Sequence, residues 1–354
     1  MPEFNALGII DFDHLEFAVR DLEEAAKLYI KLGFEKIGTR EVLERKLNSV
    51  LMGQNDIRIL LSHSSDSIDP VSRYVIKHGD GVCNVAFLCQ NAFSAFEVAL
   101  SRGAEPSETP KGYKKDFGSV DVASIKAFGD VTHSFVARTG GLFGEGFDSA
   151  ARQAPSGKGL LRIDHITTNV EKGHIKDWVG FYERVFGLKN TRFFDIHTER
   201  SGLYSYVMQS PNGIIKMPFN EPTEQASQIQ EFIDIHHGPG VQHVALSTSD
   251  IVDSLTELRE STLSFLSTPD AYYEALPTRL PNLEENIADL RTLGILADGD
   301  TKGYLLQIFT QNVVGPFFYE IIQRKGNDGF GEGNFTALFE AIERDQMKRG
   351  VMKS

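Results

Sequence analysis

The 354-residue chain has two cysteines, one tryptophan and no concentration of positive charge. Cys83 and Cys89 are too few for a disulfide framework. They point to a reducing, cytoplasmic setting, each as a small buried hydrophobe. No apolar run approaches the ~20 residues that span a bilayer, so no membrane partner is expected. The opening MPEFNALGIIDFDH lacks the basic and apolar regions of a secretory leader. Lys and Arg number 36 against 49 Asp and Glu, a formal net charge of −13 without a basic run, which argues against a nucleic-acid surface. With 41% hydrophobic residues, the composition is that of a globular protein large enough for two or three domains.

The chain does contain an echo of itself. IDFDHLEFAVRDLEEAAKLYIKLGFEKIG, from Ile10, parallels LRIDHITTNVEKGHIKDWVGFYERVFGLKN, from Leu161. Both read as a strand, a polar turn, an amphipathic helix stopped by glycine, and a further strand. Leu22, Ala25, Ala26, Tyr29 and Leu32 recur at helical spacing before Gly33, and Trp178, Phe181, Tyr182, Val185 and Phe186 do so before Gly187. A second echo sets HGDGVCNVAFLCQN, from His78, against HGPGVQHVALSTSD, from His237. Duplication on this scale predicts an α+β protein of two tandem halves, each made of two βα-plus-strands units. SRGAEPSE at 101–108 and ARQAPSGKG at 151–159 read as loops. The second marks the boundary between an N-terminal domain, 1–154, and a C-terminal domain, 155–354.

The chemistry concentrates in the second half. Glu320 sits among Phe317, Phe318, Tyr319, Ile321 and Ile322, where a carboxylate is costly unless something positive meets it. His165 in RIDHITTNV and His243 in GVQHVALST lie in similar strand-like surroundings. Two histidines and one carboxylate suit a non-haem Fe(II) site with open positions. The alternative for Glu320 is an ion pair, with Arg324 as partner. In the first half His14 matches His165, but Asn84 replaces His243 and no secure counterpart of Glu320 is found. That half is expected to keep the fold without a metal, supporting packing or oligomerisation.

At these residues the chain resembles the 4-hydroxyphenylpyruvate dioxygenase family of the vicinal oxygen chelate superfamily. The likeness covers most of the chain. It includes LYS at Leu203 to Ser205, PFNEP from Pro218, SQIQ from Ser227, LQIF from Leu306 and GFGEGNF from Gly329. It implies paired βαβββ modules forming half-open barrels of glyoxalase type, with Fe(II) held by His165, His243 and Glu320. The implied reaction converts 4-hydroxyphenylpyruvate and O₂ to homogentisate and CO₂ in tyrosine and phenylalanine catabolism, with no nicotinamide or flavin. By the same resemblance Ser205, Asn220, Gln228, Gln242 and Gln307 form a polar pocket. Phe309, Phe330, Asn334, Phe335 and Phe339 form its apolar and lid side. A homodimer or homotetramer is expected from family habit. PFNEP and Phe335 favour the dioxygenase over the related 4-hydroxymandelate synthase; an extradiol dioxygenase and a non-catalytic aromatic-ligand binding protein are the remaining alternatives.

Asn334 reads as the N-cap of a lid helix over 334–350, with Phe335, Leu338, Phe339 and Ile342 as its apolar stripe and four preceding glycines as a hinge. The run Gly329-Phe330-Gly331-Glu332-Gly333 is spaced GxGxG rather than GxGxxG and is not a dinucleotide turn. His78, His236 and His237 precede glycine-rich turns and read as turn or surface residues, and His174 and His197 as solvent-facing.

Overall fold

The computed structural model describes residues 5–197 and 202–334. Phe335, Phe339 and all of the expected lid beyond Asn334 lie outside the described residues. The first half runs β1 (Ile9–Ala18), α1 (Leu22–Lys31), β2 (Glu35–Val42), β3 (Leu47–Gln54), β4 (Ile57–Ser64), α2 (Pro70–His78), β5 (Gly81–Cys89), α3 (Ala92–Ser101), β6 (Pro106–Lys115), β7 (Gly118–Lys126) and β8 (Thr132–Gly140). The second half begins with β9 (Leu160–Asn169), α4 (Ile175–Phe186), β10 (Lys189–His197), β11 (Gly202–Gln209), β12 (Lys216–Pro222), α5 (Gln228–His236) and β13 (Gly240–Thr248). It continues with α6 (Ile251–Arg259), α7 (Asp270–Arg279), α8 (Ile287–Leu293), β14 (Leu296–Gly299), β15 (Tyr304–Phe309) and β16 (Phe318–Lys325).

Each half is one eight-stranded sheet curled into a half-barrel. The first has the order β2-β3-β4-β1-β5-β8-β7-β6, and the second repeats it as β10-β11-β12-β9-β13-β16-β15-β14. In each, an antiparallel central pair, β1 with β5 or β9 with β13, is flanked by parallel neighbours, the signature of two βαβββ units side by side. The helices form where the glycine stops and caps predict. Asp21 accepts from the Glu23 and Glu24 amides to start α1, and Gly187 ends α4 at φ +70°, a left-handed C-cap that glycine adopts without steric cost.

Three features depart from the sequence reading. Part of the 101–108 segment read as a loop is strand: β6 starts at Pro106, an edge strand whose exposed, proline-bearing face discourages further pairing. Helices α7 and α8 are inserted in the last module and have no counterpart in the first half. His78 and His236 are not surface residues. Both are buried and their rings stack 4.5 Å apart where α2 meets α5. Each bonds across the junction, His78 Nδ1 donating to the His236 carbonyl at 2.6 Å and His236 Nε2 meeting the Tyr74 hydroxyl at 2.9 Å. His237 and His174 are exposed as expected, and the side chain of His197 lies outside the described ones.

Apolar core runs across both halves. Phe17 meets Phe317 edge-on at 5.1 Å, Trp178 of α4 meets Phe128 at 6.1 Å, and the hydroxyls of Tyr29 and Tyr319 lie 2.9 Å apart. His133 of β8 joins the Tyr182 hydroxyl of α4 at 2.5 Å. The segment between Gly140 and Leu160 carries no strand or helix and is tied by Gln54, whose side-chain oxygen accepts from the Lys158 and Leu160 amides.

Candidate metal centre

The three candidate ligands lie on the central strands of the second sheet. Ala245 of β13 is opposite His165 of β9 on one side and Glu320 of β16 on the other. His243 lies two residues before Ala245, on the same face, because strand side chains alternate. His165 Nε2 is 3.2 Å and His243 Nε2 3.6 Å from Glu320 Oε2, and donor atoms of the three lie within 4.8 Å of one another. Among the described residues no other three His, Cys, Asp or Glu groups converge in this way. A metal bonded at roughly 2.1 Å holds adjacent donors roughly 3 Å apart, so little movement would be needed to accept an ion.

Neighbouring groups aim both imidazoles. Asp164 Oδ1 is 2.9 Å from His165 Nδ1, and Gln242 Oε1 is 2.9 Å from His243 Nδ1, leaving each Nε2 turned to the common point. Such partners fix tautomer and ring orientation in metal sites. Asp164 is gripped by Arg324 through two hydrogen bonds, 2.8 and 2.7 Å. Burial alone would raise the Asp164 carboxyl, but the bonds from Arg324 and His165 hold it well below the usual carboxylate range. Arg324 is therefore the partner of Asp164 and makes no ion pair with Glu320, which removes the alternative reading of that glutamate.

The two histidines shift in opposite directions. Burial lowers the proton affinity of His165, but the Glu320 and Asp164 carboxylates together outweigh it and the net shift is upward. Burial, then the nearby His165, pushes His243 well below the ordinary range. A field that favours a proton on His165 favours a metal cation equally, and the cation can engage both rings. The unsatisfied atoms point the same way. Among the described residues, Glu320 Oε1, both side-chain polar atoms of Gln307, and Asn334 Nδ2 are buried without a hydrogen-bond partner. Buried polar groups are nearly always paired, and each left unmade costs about 1–3 kcal/mol.

Around this point the walls are aromatic. Phe318 stacks on His243 at 4.8 Å, Phe309 meets the same ring edge-on at 6.2 Å, and Phe330 meets His165 edge-on at 5.2 Å. Phe330 reaches His165 because Arg324 also donates to the carbonyls of Gly329 at 2.6 Å and Asn327 at 3.2 Å. Gly331, at φ +72°, closes over Gln307, where an added Cβ would fall 2.1 Å from the amide oxygen. Ser205 and Asn220 are buried and paired across β11 and β12, and Asn220 donates to Asn169 Oδ1 at 3.3 Å, one strand further in. Gln242 is spent on His243. Gln228 opens α5 half-buried and makes no side-chain hydrogen bond among the described residues. Asn334 is not the first capping residue: residues 332–334 are already helical, and its Oδ1 accepts from the Tyr272 hydroxyl at 2.6 Å. Sequence reasoning passed over Asp164, Phe318 and Tyr272. Asp164 had a visible signal, since Asp precedes His in both copies of the IDxDH/RIDH echo.

Two family profiles match the sequence. One, described as hydroxyphenylpyruvate dioxygenase, N-terminal, covers residues 4–145, and the other, the glyoxalase/bleomycin resistance protein/dioxygenase superfamily, covers 162–277. The chain is 40% identical over 361 residues to the 4-hydroxyphenylpyruvate dioxygenase of Pseudomonas aeruginosa, with 99% of this chain and 98% of that protein aligned. The chain belongs to the 4-hydroxyphenylpyruvate dioxygenase family. Another relative, hemolysin VllY of Vibrio vulnificus, is also 40% identical, over 99% of this chain and 98% of its own length. A substituted 4-hydroxymandelate synthase from Streptomyces coelicolor superposes with a TM-score of 0.86 at 31% identity, covering 96% of this chain and 99% of the other. The dioxygenase family and its superfamily imply a metal cofactor, and the donor set of His165, His243 and Glu320 fits one.

Proposed function

We propose that the protein is an Fe(II)-dependent dioxygenase that converts 4-hydroxyphenylpyruvate and O₂ to homogentisate and CO₂. The observation that carries this reading is the convergence of His165, His243 and Glu320 in a chain that aligns almost end to end with named 4-hydroxyphenylpyruvate dioxygenases. When bound by these three side chains, iron supplies open positions for a 2-oxo acid and for O₂. All four electrons needed to reduce O₂ come from the substrate, so no separate reductant is required.

The chain's own groups do the rest. Asp164 and Gln242 keep the two Nε2 atoms aimed, and Arg324 keeps Asp164 ionised. Gln307, Asn220 and Ser205 provide neutral hydrogen bonds for the oxygen atoms of substrate, which avoids burying an unpaired charge. Phe309, Phe318 and Phe330 make a dry wall for the aromatic ring, each ring pair adding about 0.5–1.5 kcal/mol beyond the area buried. The segment carrying Phe335 and Phe339 would complete the enclosure and exclude water.

A second reading, 4-hydroxymandelate synthesis, is favoured by the structural likeness to that enzyme. One experiment separates the two. Metal-free protein is reconstituted anaerobically with Fe(II) and given 4-hydroxyphenylpyruvate and O₂, and products are quantified. Homogentisate and CO₂ in equal amounts are expected; hydroxymandelate would install the second reading, and absence of O₂ uptake would reject both.

A further inference from the structure

The duplication extends beyond the fold to the concave site of the first half. There, His14 of β1 lies opposite Ala86, and Ala86 opposite Ser134 of β8, the register that joins His165, Ala245 and Glu320. Asn84 stands where His243 stands, and Ser134 where Glu320 stands. The supporting groups are kept. Asp13 Oδ2 is 2.6 Å from His14 Nδ1, and Arg138 pairs with Asp13 and donates to the Phe143 carbonyl at 2.6 Å. Phe143 lies 5.0 Å from the His14 ring. It opens Phe143-Gly144-Glu145-Gly146, a second copy of Phe330-Gly331-Glu332-Gly333.

We propose that this half encloses a second, metal-free binding site for a hydroxylated aromatic carboxylate. The space is a cavity of about 700 Å³, within the range that binds organic ligands, and it is lined by His14, Asn84 and Ser134. The donor set disfavours a metal: one imidazole remains, and the Asn84 amide and Ser134 hydroxyl satisfy each other at 2.9 Å. His14 has its Nδ1 against a carboxylate, so its neutral form carries the proton there and presents Nε2 as an acceptor. Among the described residues that Nε2 has no hydrogen-bond partner although His14 is only 6% exposed, and it suits a ligand hydroxyl. Val120, Val136, Phe143 and Phe147 give the cavity an apolar wall for a ring. Its lining holds six Lys and Arg against four Asp and Glu, the reverse of the chain's overall charge. Among the described residues Arg73, exposed at the rim, is the lining cation with no acidic partner, which leaves it available to a ligand carboxylate.

The test is calorimetric titration of the full-length, metal-free protein with 4-hydroxyphenylacetate, which lacks the 2-oxo group needed for chelation. Saturable binding below about 1 mM is expected. It should weaken about tenfold or more in Asn84→Leu, and likewise in the surface variant Arg73→Ala, which does not disturb the core. His243→Ala should leave it unchanged, and phenylacetate, without the hydroxyl, should bind about tenfold more weakly than 4-hydroxyphenylacetate. Binding lost in His243→Ala but kept in Arg73→Ala would assign the ligand to the second half and overturn the proposal. Absence of saturable binding, or equal affinity for the two acids, would overturn it too.

Discussion

Glu320 is the side chain on which the chemistry turns. It is buried, one of its oxygens has no partner among the described residues, and the other faces two imidazoles. His243→Ala removes one of the three donors. It is expected to lower metal retention by more than the ~10–100-fold that loss of a supporting partner produces, as read by elemental analysis after dialysis. Gln242→Ala is expected within that ~10–100-fold range, since it only frees the His243 ring to turn. Gln307→Ala should leave the bound metal in place and lower turnover, because its free amide faces the pocket and bonds neither imidazole. Loss of metal in that variant would move Gln307 from substrate to metal support. The histidines and the glutamate were legible because a charge among phenylalanines demands a partner. Phe318 and Tyr272 were not, because an aromatic residue in an apolar strand or helix carries no mark of which face it presents.

At the scale of an element, β16 joins the metal centre to the glycine-rich segment after it. Arg324 holds Asp164 with two bonds and the carbonyls of Asn327 and Gly329 with two more. Arg324→Ala takes both guanidinium bonds from the buried Asp164 carboxylate and leaves it only His165 Nδ1 and the more distant Lys216 Nζ, at 3.8 Å, so destabilisation at the lower end of ~3–5 kcal/mol is expected in urea unfolding. Arg138→Ala breaks the corresponding pair in the first half and should destabilise to a similar degree. Only the first of these should also weaken metal binding, and equal metal affinities would show that Arg324 acts on the fold alone. The helix–strand repeat was readable because glycine stops and apolar spacing are local signals. The equivalence of Ser134 with Glu320 was hidden: the α7–α8 insertion changes the spacing, and serine leaves no chemical trace of the carboxylate in the other half. The twin Phe-Gly-Glu-Gly runs were in plain view and would have supplied the register.

Across the whole molecule the halves are pinned by buried polar contacts. Burial pushes His133 down to about 4 from an ordinary 6.5, and burial together with His78 does the same for His236. Between those values the unfolded chain binds more protons than the folded one, so stability is full above pH 6.5 and falls as pH drops toward 4. Each residue contributes about 1.4 kcal/mol per pH unit across that window. In the metal-free protein His243, pushed well below the ordinary range, adds to that loss and His165, shifted upward, opposes it, while Asp13, held down to about 2, acts only at lower pH. Metal-free protein should therefore unfold at lower urea at pH 5 than at pH 7; equal midpoints would show that the seam histidines take up protons without opening.

The lone indole of Trp178 rests edge-on against Phe128, a residue of the other half. Its emission therefore comes from one place in the molecule, and that place is the seam. A shift of the fluorescence maximum toward red would record water reaching the seam, whereas circular dichroism would follow the sheets. With those two signals, separation of the halves can be watched apart from their melting, with no label attached.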